Sequence, residues 1–313
     1  MIKILSRFTK EEEGQVIIII AVAFTVLLGF VALAVDTGIL YLEHTRLARA
    51  ADAAALAGAQ ELPDAYAAEN VAREYAQLNG IDPNNLDINF AENNRKITIT
   101  VNKTVDFYFA RALGFESKNI DGRAVARLSP VREMNGLIPL GINETYLPLT
   151  PGNQYLIKGG SQDGAPWRGV IKYPGQGNGG NEYRELTQNG YDGTVETGDT
   201  LGKVPGNKSG PTEQGIEDRI NACSEGCTWD DFEPGCPRVV IVPVYRDLNP
   251  DDETGDNTLE VVGFAAVFLD RVDGNGNESR VWARYVPMTV SGETDDSVTD
   301  PDYMNLSSVR LSE

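Results

Sequence analysis

Residues Gln15–Ala59 read "QVIIIIAVAFTVLLGFVALAVDTGILYLEHTRLARAADAAALAGA", and Gln15–Val35 carries no charged side chain. At about 1.5 Å per helical residue that uncharged part spans roughly 31 Å, the thickness of a bilayer's hydrocarbon core. Core helices of soluble proteins keep a polar face over such a length. The stretch is therefore read as a transmembrane helix, 15–35, running without a break into a second helical segment. Beyond Asp36 the pattern turns amphipathic, and Leu40, Leu47, Ala51, Ala54 and Gly58 fall on one helical face. Glu43 with Arg46, and Arg49 with Asp52, make opposite-charge pairs three apart beside it. "ARAADAAALAGAQEL" (48–62) consists of strong helix formers whose small side chains admit a second helix closely. Pro63 ends the run. The apolar face packs either on the chain's own domain or on other copies and partners, and the sequence leaves both open.

Lys3, Arg7 and Lys10 precede the apolar stretch. Acidic residues such as Glu11–Glu13 carry little weight in setting topology. The expectation is a cytoplasmic N-terminus, 1–14, and an extracytoplasmic bulk from Asp36 onward. Three fates compete. The helix is retained; or it is cut after Ala32-Leu33-Ala34, which has the small-residue form of a signal cleavage site; or it is cut at Gly14. Retention is favoured, because the apolar stretch is longer than a usual signal h-region and a cut there severs it from the next helix.

The segment "EGQVIIIIAVAFTVLLGFVALAVDTGILYLEHTRLARAADAAALAGAQEL" (13–62) resembles the N-terminal part of the TadE/TadG-like family of Flp (tight-adherence) pilus assembly proteins. The resemblance rests on Gly14 before the apolar helix, "ALAVDTG" (32–38), Tyr41-Leu42 and "RLARAADAAALAGA" (46–59), in that order. It implies a single-pass, pilin-like protein that builds or decorates a surface pilus and has no catalytic activity. The implied partners are the cytoplasmic membrane and other pilus assembly proteins, or copies of the chain, through the stalk helix. Processed members of such systems carry Glu five residues into the mature chain. Ile19 stands there in this sequence, which places the chain nearer the TadG-like branch. The resemblance does not extend past the N-terminal segment.

Further along, "DAYAAENVAREYAQLN" (64–79) reads as a helix with Val71, Tyr75 and Leu78 on one face. "LDINF" (86–90) and "KITITV" (96–101) alternate as strands about the turn "AENN". "VDFYFARALGF" (105–115) reads as a short helix closed by Gly114, and "NIDGRAVARL" (119–128) as another strand. A small α+β, pilin-like layer is expected over 36–129. From Pro130 the composition shifts to Gly, Pro, Asn and Asp, and a Gly-rich, mostly antiparallel β domain is expected over 130–295. "LIPLGI", "QYLIKGG" and "WRGVIKY" are short strand-like runs; the region from Pro174 to Gly215 reads as a long polar loop. "RVVIVPVYR" (238–246), "LEVVGFAAVFLDRV" (259–272) and "RVWARYVPMTV" (280–290) form an expected three-strand meander. Residues 296–313 read as a tail, and no internal repeat is evident. The fold class is thus α+β, with a transmembrane helix running into a long amphipathic one.

Chemistry is sparse. The chain has 27 Lys and Arg against 46 Asp and Glu, a net charge of −19. That excludes the basic surface nucleic acids require. His44 is the only histidine, so nucleophilic catalysis lacks its usual base. Neither "TLGKV" nor "GNKSG" completes a phosphate loop. So many acids make chance carboxylate pairs inevitable, so no glycosidase-type dyad is argued. Asp273, Asn275 and Asn277 place oxygens at alternate positions, as calcium loops do, but Glu278 and Arg284 stand where an EF-hand needs Gly and Glu. Asp-Gly and Asn-Gly are also hairpin-turn residues, and that reading is preferred. Cys223, Cys227 and Cys236 are the only cysteines. In an exported domain they are disulfide candidates before they are metal ligands. Trp167, Trp229 and Trp282 read as packing residues before sugar platforms. No cofactor is expected. The leading reading is a membrane-anchored Tad-type assembly protein. The alternatives are an anchored adhesin with a ligand-binding β head and, behind it, an anchored hydrolase.

Overall fold

The computed structural model describes residues 12–160, 169–223, 226–251, 258–274, 278–294 and 305–312. It is α+β, as the pattern predicts, and divides into two units: 1–127 with 311–313, and 128–310.

The first unit is built on α1 (Glu12–Gln60), one unbroken helix of 49 residues. At about 1.5 Å per residue it runs roughly 74 Å. Its two halves differ in what covers them. From Val16 to Val35 the large apolar side chains are exposed, Ile17 and Phe30 by 70% and 66%. From Leu47 to Ala59 the same helix is buried, with Leu47, Ala51 and Ala54 at 1% exposure or less. Helix α2 (Ala65–Leu78) folds back on it, started by Asp64, whose side chain accepts from the backbone N–H of Tyr66 and Ala67. The face of α2 that packs is Ala68, Ala72 and Ala76. Tyr75 and Leu78, expected on its apolar face, are exposed at 44% and 72%. Close approach of two helices selects the smallest side chains, so bulk misidentifies the buried stripe here.

Three antiparallel strands cover this helix pair: β1 (Leu86–Ala91), β2 (Lys96–Asp106) and β3 (Ser117–Pro130). Glu92, Asn93 and Asn94 turn the β1–β2 hairpin at positive φ, a conformation Asn tolerates. Ile97, Ile99 and Val101 of β2 alternate into the core at 0% exposure. The segment expected as a short helix is mostly not one. β2 extends through Asp106, and only Ala110–Leu113 make a 3₁₀ turn, closed by Gly114 at φ 90°.

In the second unit, β10 (Val239–Asp247), β11 (Leu259–Asp273) and β12 (Arg280–Tyr285) form the expected antiparallel meander. It is extended by β5 (Ile142–Asn143), parallel to β10, and β6 (Gln154–Lys158), antiparallel to β12. β9 (Thr200–Lys203) pairs with both β11 and β7 (Ile171–Lys172). Val240, Val242 and Val244 with Ala265, Val267 and Leu269 face one core cluster. Ile241, Phe264 and Ala266 face another. Burial on both faces explains why these strands read as continuous apolar runs.

Two corrections apply to the sequence reading of this unit. The supposed loop between 174 and 215 holds α3 (Gly180–Asn189), the strands β8 (Val195–Glu196) and β9, and the start of α4 (Ser209–Ala222). Each helix buries few residues, Tyr183 and Thr187 on α3 and Thr212, Gly215 and Ile216 on α4, so the apolar period is too weak to see. A Cβ on Gly215 meets the Thr187 side chain at 2.8 Å, and the close crossing is made by a glycine. The supposed tail contains β14 (Leu306–Ser312), parallel to the short β13 (Met288–Thr289). Short parallel pairings between distant segments leave no local signature. A further pairing joins β4 (Glu133–Met134) to β8.

Candidate functional site

Two side-chain constellations stand out, one in each unit. The first centres on Asp36, in the ALAVDTG stretch that ends the uncharged run of α1. Asp36 is only 5% exposed. One carboxylate oxygen accepts from Tyr108 N at 2.9 Å; the other accepts from Ala110 N at 2.7 Å and Phe109 N at 3.1 Å. These are N–H groups at the start of the 3₁₀ turn, which no residue of the turn satisfies. The carboxylate thus caps a turn 72 positions away in sequence. Burial raises its pKa, but the N–H groups of Ala110, Tyr108 and Phe109 together outweigh that, and the carboxyl sits below its ordinary 3.8.

This cap fastens the segment 107–115, "FYFARALGF", to α1. Tyr108, Phe109 and Phe115 of that segment are exposed by 73%, 49% and 62%. An apolar groove runs between it and the helix, lined by Leu28, Ala32, Leu33, Leu40, Phe107 and Phe115 among others, Lys118 included. Leu28, Ala32 and Leu33 belong to the apolar stretch itself. A collar of aromatics is thus held beside its last two turns.

Below the collar, the face expected for helix packing is taken up by the chain's own domain. Leu47, Ala51, Ala54 and Gly58 are buried, and Leu40 is half-buried in the collar groove. A Cβ on Gly58 meets Ala68 O and Ile97 Cδ1, both at 2.9 Å. A Cβ on Gly122 of β3 meets the Leu47 carbonyl carbon at 2.5 Å. Glu43 accepts from Lys103 Nζ at 2.6 Å, which with Arg46 keeps its pKa low.

The second constellation is in the other unit. Cys223, at the end of α4, Cys227 and Cys236 bring their three Sγ atoms within 4.8 Å of one another. Cys223 and Cys236 have their Sγ atoms 3.8 Å apart, a hydrogen-bond rather than a disulfide distance. Sharing hydrogen bonds with Cys236 and Cys223 pushes the Cys227 thiol up to about 12. Trp229, Phe232, Val239, Phe268 and Val286 pack around them. The Trp229 ring covers Gly152, whose added Cβ meets it at 2.7 Å and whose φ is +74°. Arg219 of α4 steadies the neighbourhood by donating to Thr187 O and Pro237 O.

Asn275 and Asn277 of the calcium candidates, like Trp167, lie outside the described residues. Asp273 faces Arg280 in the β11–β12 register, and its carboxylate accepts from Arg271 Nε at 2.7 Å. Arg271 also lies over the Trp282 ring. His44 is exposed on α1.

The family model for Flp pilus-assembly TadE/G-like proteins matches residues 14–61. The match bears out the resemblance of the N-terminal segment; it begins at Gly14 and ends one residue past α1. Searches of curated proteins and of solved structures returned no match.

Proposed function

We propose that this chain is a single-pass component of a Tad-type pilus assembly system. In this reading α1 crosses the cytoplasmic membrane through 15–35, the N-terminus faces the cytoplasm, and both units stand outside. The role is structural: the chain holds a β-rich head above the bilayer and contacts other assembly proteins or its own copies. One observation carries the reading. The family match covers a helix whose apolar half, with a mean hydropathy of 3.1 over its most apolar window, leaves its large side chains exposed, while its small-residue half is buried by the chain's own domain.

That division relocates the partner surface. Leu47, Ala51, Ala54 and Gly58 are spent inside the unit, so contacts with other helices fall on the uncovered part of α1, up to Tyr41 and Leu42, exposed by 72% and 60%. Within a membrane such contacts rest on side-chain packing rather than on hydrophobic burial. The Asp36 collar supports the same reading. Aromatic side chains concentrate at membrane–water interfaces, and Lys reaches toward headgroups. The collar sets Phe109, Phe115 and Lys118 beside the end of the apolar stretch, where this reading has the interface.

The test is a full-length chain carrying different tags at its two ends, expressed in a bacterium with a Tad system. Protease added to spheroplasts is expected to remove the C-terminal tag and spare the N-terminal one, with the protein resisting alkaline extraction. Release by alkali, or loss of the N-terminal tag first, overturns the topology.

A further inference from the structure

The three cysteines sit where a disulfide alone does not account for them. A disulfide joins two sulfurs at about 2.05 Å and leaves its neighbours free to be anywhere. Here all three Sγ atoms converge within 4.8 Å of one another, with Cys223 and Cys236 at 3.8 Å. A tetrahedron with metal–sulfur bonds of about 2.3 Å has sulfur–sulfur edges of about 3.8 Å, and a trigonal site has edges near 4.0 Å. The Cys223–Cys236 spacing is that of two ligands on one ion, and Cys227 lies within 4.8 Å of both.

The scaffold agrees with that spacing. Each thiol comes from a different local element: the end of α4, the turn after it, and the turn before β10. The Cys236 backbone N–H is fixed by Glu233 O at 3.0 Å. The joining segment "TWDDFEPG" (228–235) carries Asp230, Asp231 and Glu233 and no basic residue. Glu233 lines the same cavity as the thiols. The nearby cations are committed elsewhere: Arg219 to backbone carbonyls, and Arg238 to Leu269 O and Asp270 O. Cys236 is buried, while Cys223 and Cys227 are half-buried, which gives an ion a way in. Trp229, Phe232 and Phe268 supply an apolar backing.

We infer that Cys223, Cys227 and Cys236 form a binding site for one soft, thiophilic cation, Zn²⁺ or Cu⁺. Thiolate sulfur selects these ions over Mg²⁺ and Ca²⁺. Each thiol that ligates releases its proton and no redox change occurs. Three thiolates complete a trigonal Cu⁺ site; for Zn²⁺ they leave a fourth position to water or a carboxylate.

The experiment uses the full-length chain in detergent, isolated once without reductant and once reduced and anaerobic. Intact mass of the first sample is expected to show three thiols and no disulfide. The second is expected to retain one equivalent of Zn²⁺ or Cu⁺ through gel filtration. Co²⁺ as a probe is expected to give thiolate charge-transfer absorption. Tetrahedral d–d bands that Zn²⁺ abolishes mark a zinc site, whereas Cu⁺ held against a Cu⁺ chelator marks a copper site. Cys227→Ser, at a half-buried position, is expected to lose retention with the circular dichroism unchanged. Should that variant unfold, alkylation of the wild-type thiols decides instead: the bound ion is expected to slow all three at least tenfold. A disulfide among the three in the unreduced protein, no retained cation, or alkylation indifferent to the ion overturns the proposal.

Discussion

Asp36 joins α1 to a turn more than seventy positions away by accepting from three backbone N–H groups. Its position in ALAVDTG is legible, but its partners are not, because three backbone N–H groups more than seventy positions on have no sequence signal. Asp36→Ala leaves those groups without an acceptor. Faster deuterium uptake at Tyr108–Ala110 is the expected result, with Asp36→Asn intermediate, since one amide oxygen replaces two carboxylate oxygens. Uptake unchanged in both variants contradicts the cap. The pH dependence has a definite sign. The pKa is lower in the folded state than its ordinary 3.8, so the cap's contribution is complete above that value. It fades as pH falls through the lowered folded value. Protection of the same amides, taken relative to intrinsic exchange at each pH, is expected to fall only in that acid window. Gly122 makes a second residue-scale prediction. With a Cβ 2.5 Å from the Leu47 backbone, Gly122→Ala cannot be absorbed by a side-chain shift. It is expected to cost about 1–3 kcal/mol, read as a lower urea midpoint.

At the scale of elements, legibility follows how much apolar surface each one buries. The meander β10–β12 is plain in the sequence because both of its faces are covered, by different residue sets. Helices α3 and α4 are hidden because a tyrosine, an isoleucine, two threonines and a glycine hold them. Helix α2 is visible as a helix but with the wrong face, since its contact with α1 is an alanine stripe. That reversal is testable in one comparison. Ala72→Leu forces bulk between two helices and is expected to destabilise by about 1–3 kcal/mol. Leu78→Ala, on the side bulk alone picks out, is expected to stay within about 0.5 kcal/mol. Urea unfolding of the two variants side by side checks the order; equal effects contradict the assignment of the packed face.

For the whole molecule, the sequence announces the long apolar helix and the TadE/G-like segment 14–61, while the collar and the thiol cluster emerge only when distant segments are brought together. The net charge of −19 over the whole chain opposes self-association and does not favour contact with phosphate backbones. The proposed role of the collar, at the end of the apolar stretch, is to meet the bilayer surface, and that role is testable. Phe115→Trp, reconstituted in vesicles of brominated lipid, is expected to be quenched beyond the background of the native tryptophans; no added quenching places the segment in water. The central claim is that α1 is one helix shared between bilayer and domain, with Asp36 at the junction. Hydrogen–deuterium exchange of the full chain in lipid nanodiscs tests it most directly. The account predicts near-complete protection over 16–35, supplied by lipid. It also predicts protection over 47–59, supplied by the domain, and over Tyr108–Ala110, supplied by Asp36. Rapid exchange over 16–35 in the nanodisc, with 47–59 still protected, would show a folded head whose apolar helix does not enter the membrane.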